Sequence, residues 1–88
     1  MTVSLRAQWP HSIEDIRKSL DGIWGLVGTT GVNGNLYRLE RSLAEPVIYY
    51  VTEYNGADEA DIKENNSFPL EEKEQAISFF ARAIGFDI

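Results

Sequence analysis

Val3, Leu5, Ala7 and Trp9 alternate with Thr2, Ser4, Arg6 and Gln8, the two-residue period of a strand with one buried and one wet face. Pro10 ends that stretch, because proline has no amide hydrogen for a ladder and restricts the residue before it. The period then lengthens. Ile13, Ile16, Leu20 and Ile23 share one helical face, Ser12 stands at the N-cap position, and Glu14 and Asp15 fall in the first turn. A helix is predicted over Ile13–Asp21, with Glu14 and Lys18 as an i,i+4 pair and Gly22 as its stop.

From Ile23 to Thr30 the chain is short, apolar and β-prone, and Asn33-Gly34 follows, the dipeptide best suited to a tight hairpin turn. Leu36 to Ser42 runs back as the second strand, with Tyr37, Leu39 and Leu43 on one face and Arg38, Glu40 and Ser42 on the other. Glu45-Pro46 makes the next turn. Val47 to Tyr54 is β-branched or aromatic on both faces, which places it centrally in a sheet. Asn55-Gly56 breaks it. Ala57 to Ser67 then holds five charged groups and one large apolar residue, Ile62, and reads as surface loop or a short helical turn. The last helix begins near Pro69, buries Leu70, Ile77, Phe80, Ala81 and Ile84, and closes at Gly85.

These elements define one α+β domain over residues 1–88, a two-layer sandwich of a mostly antiparallel sheet of three to four strands with two helices on one face, in the order β-α-β-β-β-α. The helix, three strands and helix at its centre are similar in order to the double-stranded RNA-binding fold. The similarity stops at element order, because the final helix, which is basic in such domains, begins here with Glu71, Glu72, Lys73 and Glu74.

Charge narrows the function classes. The net charge of −6 disfavours direct binding to nucleic acid or an anionic membrane and favours a protein partner with a basic surface. The imbalance is local. Glu53, Asp58, Glu59, Asp61, Glu64, Glu71, Glu72 and Glu74 face only Lys63 and Lys73 in the same stretch, while the remaining residues carry six acids and six bases. With no cysteine, neither disulfides nor thiolate zinc can hold the fold. The first eight residues lack the apolar core of a signal peptide, and no run is long enough to span a membrane, so a cytoplasmic location is expected. Asn65, Asn66 and Ser67 form a glycosylation sequon that reads as chance without an export signal.

Candidate chemistry is sparse. Gly25, Gly28, Gly31 and Gly34 recur every third residue, but the Lys and Ser or Thr of a phosphate loop do not follow, and Asn35, Leu36 and Tyr37 enter a strand. The stretch Val27 to Gly31 also looks like the Gly-x-x-Gly loop of KH domains, yet it sits in a hairpin of an acidic chain. His11 is the sole histidine, too little for a triad or a histidine metal cluster. Asp58, Glu59, Asp61 and Glu64 lack the spacing and central glycine of an EF-hand. No cofactor or metal is expected, and no enzymatic activity.

The expectation is therefore a non-catalytic protein-binding module. Its candidate contact residues are Glu53, Tyr54, Asp58, Glu59, Asp61, Glu64, Glu71, Glu72 and Glu74, with Tyr50 as aromatic anchor if it faces away from the helices. Inhibition of a nucleic-acid-binding partner, as by immunity proteins or phage anti-defence (anti-CRISPR-like) proteins that mimic DNA, is the use such a surface suits. A self-associating accessory domain with an aromatic sheet face, or a small-molecule binder or minor enzyme with a pocket between sheet and helices, are the alternatives.

Overall fold

In the computed structural model, which describes residues 10–59 and 61–87, the order is α1 (Ile13–Asp21), β1 (Leu26–Thr30), β2 (Leu36–Arg41), β3 (Ile48–Tyr54), β4 (Ile62–Pro69) and α2 (Lys73–Ala83), with one 3-10 turn, Leu70–Glu72, leading into α2. The strand expected over Val3 to Trp9 lies outside the described residues. Adjacent strands pair antiparallel in chain order, so the α+β class stands with four strands rather than three following α1.

The fourth strand is the main correction. Residues expected to be loop form β4, which is hydrogen-bonded to β3 along Tyr54↔Ile62 to Ile48↔Pro69. Its side chains are mostly exposed, so no alternation marks it, and its Glu, Asn and Ser content is what an edge strand carries to resist pairing with other chains. The same strand separates the fold from the RNA-binding order.

Both helices cover the sheet face that presents Val27, Tyr37, Leu39, Tyr49 and Val51. Ile16 and Leu20 from α1 and Ala76, Ile77, Phe80 and Ala81 from α2 complete a buried core. The α1 bounds agree with expectation because local signals coincide: Ser12 Oγ accepts the Asp15 amide at 3.2 Å and the apolar stripe faces the sheet. Gly22 ends it as expected, its amide donating to Ser19 O at 3.2 Å. Gly22 keeps a negative φ, and the Arg41 guanidinium donates to the Leu20 and Gly22 carbonyls at 2.7 and 3.2 Å, satisfying acceptors that the helix leaves open. Glu14 pairs with Arg17 at 2.9 Å, not with Lys18.

At the far end of α2, Gly85 adopts φ +104. Its amide donates to Arg82 O and that of Phe86 to Ala81 O, the Schellman pattern, and Phe86 packs back onto the core. Leu70, expected in the buried stripe, lies outside, as do two residues grouped by spacing with core side chains. Ile23 and Leu43 fall just beyond element ends and are 89% and 93% exposed, and Leu70, in the 3-10 turn, is 54% exposed.

The period of three glycines dissolves into unrelated local causes. Gly34 takes φ +88 in the β1–β2 turn, a longer connection than a two-residue hairpin, closed by Gly34 N to Gly31 O at 3.0 Å and Gly31 N to Asn35 O at 2.8 Å. Gly31 is a close-approach position: a Cβ there would stand 2.4 Å from Tyr37 Cε1 and 2.8 Å from Ala83 O. Gly31→Ala is expected to lower stability by about 1–3 kcal/mol through overpacking, read from the urea midpoint. An unchanged midpoint would mean that α2 and the β1–β2 turn are not in contact as described.

Candidate functional site

The residues expected to form one acidic surface are divided among three environments. Glu53 points to the helix-covered face and is 8% exposed. Its Oε2 accepts from Asn35 Nδ2 at 2.8 Å and Asn33 Nδ2 at 3.1 Å, with Lys63 Nζ at 3.5 Å. The Asn35 hydrogen bond above all, then those from Asn33 and Tyr37, hold this carboxyl below the usual range against the opposing effect of burial. Asn33 is positioned by its own turn, where its Oδ1 accepts the Asn35 amide at 3.0 Å. Its Nδ2 also donates to the Tyr37 hydroxyl at 3.1 Å, and burial pushes that phenol up.

A second group is engaged within the fold, Glu59 and Glu74 by cations distant in sequence. Glu59 accepts from Arg38 Nη1 at 2.8 Å, and Arg38 also grips Glu40 at 2.6 Å. Glu74 accepts from Arg17 at 2.6 Å, which lowers its pKa. Asp61 takes a hydrogen bond from Asn55 Nδ2 at 3.1 Å. Tyr54 is 6% exposed and lies close to the Arg38 guanidinium. Each exposed pair adds on the order of 0.2–1 kcal/mol to stability; their larger effect is to neutralise what would otherwise be outward field.

Glu64, Glu71 and Glu72 carry no ion pair among the described residues, but they occupy opposite ends of β4. Asp58 and Asp61 lie with Glu64 toward the β3–β4 turn, while Glu71 and Glu72 follow the last residue of β4. At about 3.3 Å per residue, the five steps from Glu64 to the end of β4 separate the two groups by roughly 17 Å, about twice a Debye length at physiological salt. They lie in two separate groups. Tyr50, by contrast, does face away from the helices, half-buried beside Ser67 and Glu40, whereas Tyr49 faces the core.

What sequence reasoning missed is the end of the sheet opposite the β3–β4 turn. Leu26 pairs with Glu40, the Arg41 amide donates to Gly25 O, the Ser42 amide donates to Ile48 O, and Ile48 pairs with Pro69. Ile23, Trp24, Leu43 and Leu70 therefore all lie, exposed, at that one end of the sheet. Trp24 is 82% exposed, yet its backbone belongs to a turn pinned by Arg41. The Leu43 turn is likewise closed by Ser42 Oγ, which donates to Ala44 O at 3.1 Å and accepts the Ile48 amide at 3.0 Å. Glu45 and Glu71 flank this end with carboxylates that have no ion pair among the described residues. Apolar residues at element ends carry no signal of exposure in sequence, which is why Ile23 and Leu43 grouped by spacing with the buried Leu20 and Leu39.

Among the described residues no three His, Cys, Asp or Glu side chains are grouped to hold a metal ion, and no helix is long and apolar enough to cross a membrane. Compared with protein-family models, curated proteins and solved structures, the chain matches none of them.

The Glu53 network makes a pH prediction. A carboxyl whose folded pKa is lowered contributes stability above its unfolded pKa, near 4.3 for Glu, and loses that contribution as pH falls through the folded value. Stability is expected to decline below about pH 4.5, with a shallower decline in Glu53→Gln. Glu53→Ala, which strands two amide donors, should cost about 1–3 kcal/mol at neutral pH. Equal pH slopes in wild type and Glu53→Gln, measured by urea unfolding, would contradict the role assigned to this carboxylate.

Proposed function

We propose that the protein is a non-catalytic protein-binding module whose contact surface is the turn end of the sheet. Ile23, Trp24, Leu43 and Leu70 supply the apolar centre, with Glu45, Glu71 and Glu72 as an acidic rim. The observation that supports it is the near-complete exposure of Trp24, Ile23 and Leu43 on turns whose backbones are hydrogen-bonded in place. Single exposed apolar residues are ordinary, whereas several large ones at one end of a small domain mark an interaction surface. Rigid presentation adds to affinity by lowering the ordering cost of association. The acidic rim and the net charge of −6 select a partner with an apolar patch edged by Lys and Arg.

Inhibition of such a partner, by occupying a basic surface that otherwise meets nucleic acid, is the use this chemistry suits in the cytoplasm, in the manner of immunity or phage anti-defence proteins. Glu53, Glu59 and Glu74 take no direct part in this reading, being engaged within the fold, and the polar tip of Asp58, Asp61 and Glu64 serves long-range steering. The test is capture from host lysate at several salt concentrations with three baits: wild type, Glu45→Lys/Glu71→Lys and Asp58→Lys/Asp61→Lys/Glu64→Lys. A specific partner should be lost with the first variant and retained, more weakly and with a flatter salt dependence, by the second. A partner lost only with the second variant would place the contact at the polar tip and overturn this reading.

A further inference from the structure

On the helix-covered side, where α2 ends over β3 and β4, a cavity of about 370 Å³ opens between Tyr37, Val51, Glu53, Glu64, Asn66, Phe79, Arg82 and Ala83. Its volume falls in the range of small-ligand pockets, and its lining has their composition, an apolar floor with a few convergent polar groups. Two features of its charge are unusual. Glu53 and Glu64 stand directly opposite each other on neighbouring strands and share a face, an arrangement that repels unless something positive offsets it. Lys63, on the adjoining backbone, reaches Glu53 at 3.5 Å, and Glu64 has no ion pair among the described residues. Arg82, which also lines the cavity, has no ion pair or side-chain hydrogen bond among the described residues, whereas Arg17, Arg38, Lys63 and Lys73 are paired and Arg41 caps α1.

We propose that this cavity binds a small zwitterion, its primary ammonium between Glu53 and Glu64, a short aliphatic stem along Val51, Phe79 and Ala83, and its carboxylate on Arg82. The ammonium adds to the partial offset that Lys63 gives Glu53, and its three donors match the lone pairs that Glu64, without an ion pair among the described residues, still offers. Asn66, amide-bearing and on the same face as Glu64, adds a polar contact beside the stem. The buried Glu53 is held ionised by its own donors, so the site is charged before the ligand arrives and needs no proton exchange to bind. The cavity is separate from the turn end of the sheet, so the two readings stand or fall independently.

Isothermal titration and amide chemical-shift mapping on the full chain, using ω-amino acids from aminobutanoate to aminooctanoate, test it, with hexylamine and hexanoate as single-charge controls. One chain length should bind saturably and perturb the amides of Val51, Glu64, Asn66, Phe79 and Arg82, more tightly than either control. Glu64→Gln and Arg82→Gln, both at exposed positions, should each weaken it by about tenfold. Glu64→Gln should leave hexanoate unaffected, and Arg82→Gln should leave hexylamine unaffected. No saturable binding at millimolar concentration, or binding that either substitution leaves unchanged, would overturn the proposal.

Discussion

Phe80→Ala is expected to lower stability by about 3–5 kcal/mol, a large part of the roughly 5–15 kcal/mol that holds a domain of this kind folded. Phe80 is fully buried in the C-terminal half of α2, the helix that packs on β2, β3 and β4, so its removal opens a void in the core. The cost combines lost transfer energy and the residual cavity. By contrast Phe79, one position earlier, is 38% exposed and meets Phe68 edge-to-face at 5.8 Å, and Phe79→Ala should cost about 1 kcal/mol. Urea unfolding of the pair checks this. Equal losses at the two positions would mean that α2 is rotated from the orientation described.

Trp24→Ala should have the opposite profile, leaving the urea midpoint within about 0.5 kcal/mol of wild type while weakening the partner complex by 2 kcal/mol or more, roughly thirtyfold. An exposed tryptophan contributes little to folding because its surface stays in water. In a complex it can bury on the order of 200 Å² at low entropic cost. Leu43→Ala should act in the same direction with a smaller effect, and the double variant should fall short of the sum if the two share a pocket on the partner. A Trp24→Ala protein that binds as tightly as wild type would remove the apolar centre from the contact. If purified wild type were itself dimeric by light scattering and Trp24→Ala monomeric, the occupant of this end would be a second copy, the self-association alternative.

Legibility in the sequence followed the range of the interactions involved. The α1 helix could be read to the residue because Ser12, Ile13, Ile16 and Leu20 act within two turns of one another. The β2 and β3 strands could be read because one face of each alternates with burial, Tyr37 and Leu39 against Tyr49 and Val51. β4 could not, since an edge strand bonded on one side, of which Phe68 alone brings a large apolar side chain against the core, shows no apolar period. The partners of the acidic stretch were hidden for a related reason. Whether a carboxylate faces solvent or a cation depends on partners such as Arg38, which is 21 residues from Glu59, and Arg17, which is 57 residues from Glu74, and nothing local encodes those meetings. The capping of α1 by Arg41 is equally non-local. So is the juxtaposition of Ile23, Leu43 and Leu70, which antiparallel pairing alone brings to one end.

Amide chemical-shift mapping of the isotope-labelled protein with its captured partner bears most directly on the contact surface. The largest changes are expected at residues 23–26, 43–46 and 70–72, with minor changes along α1. Changes concentrated at residues 58–64, with the turn end unperturbed, would contradict it and return the contact to the acidic tip.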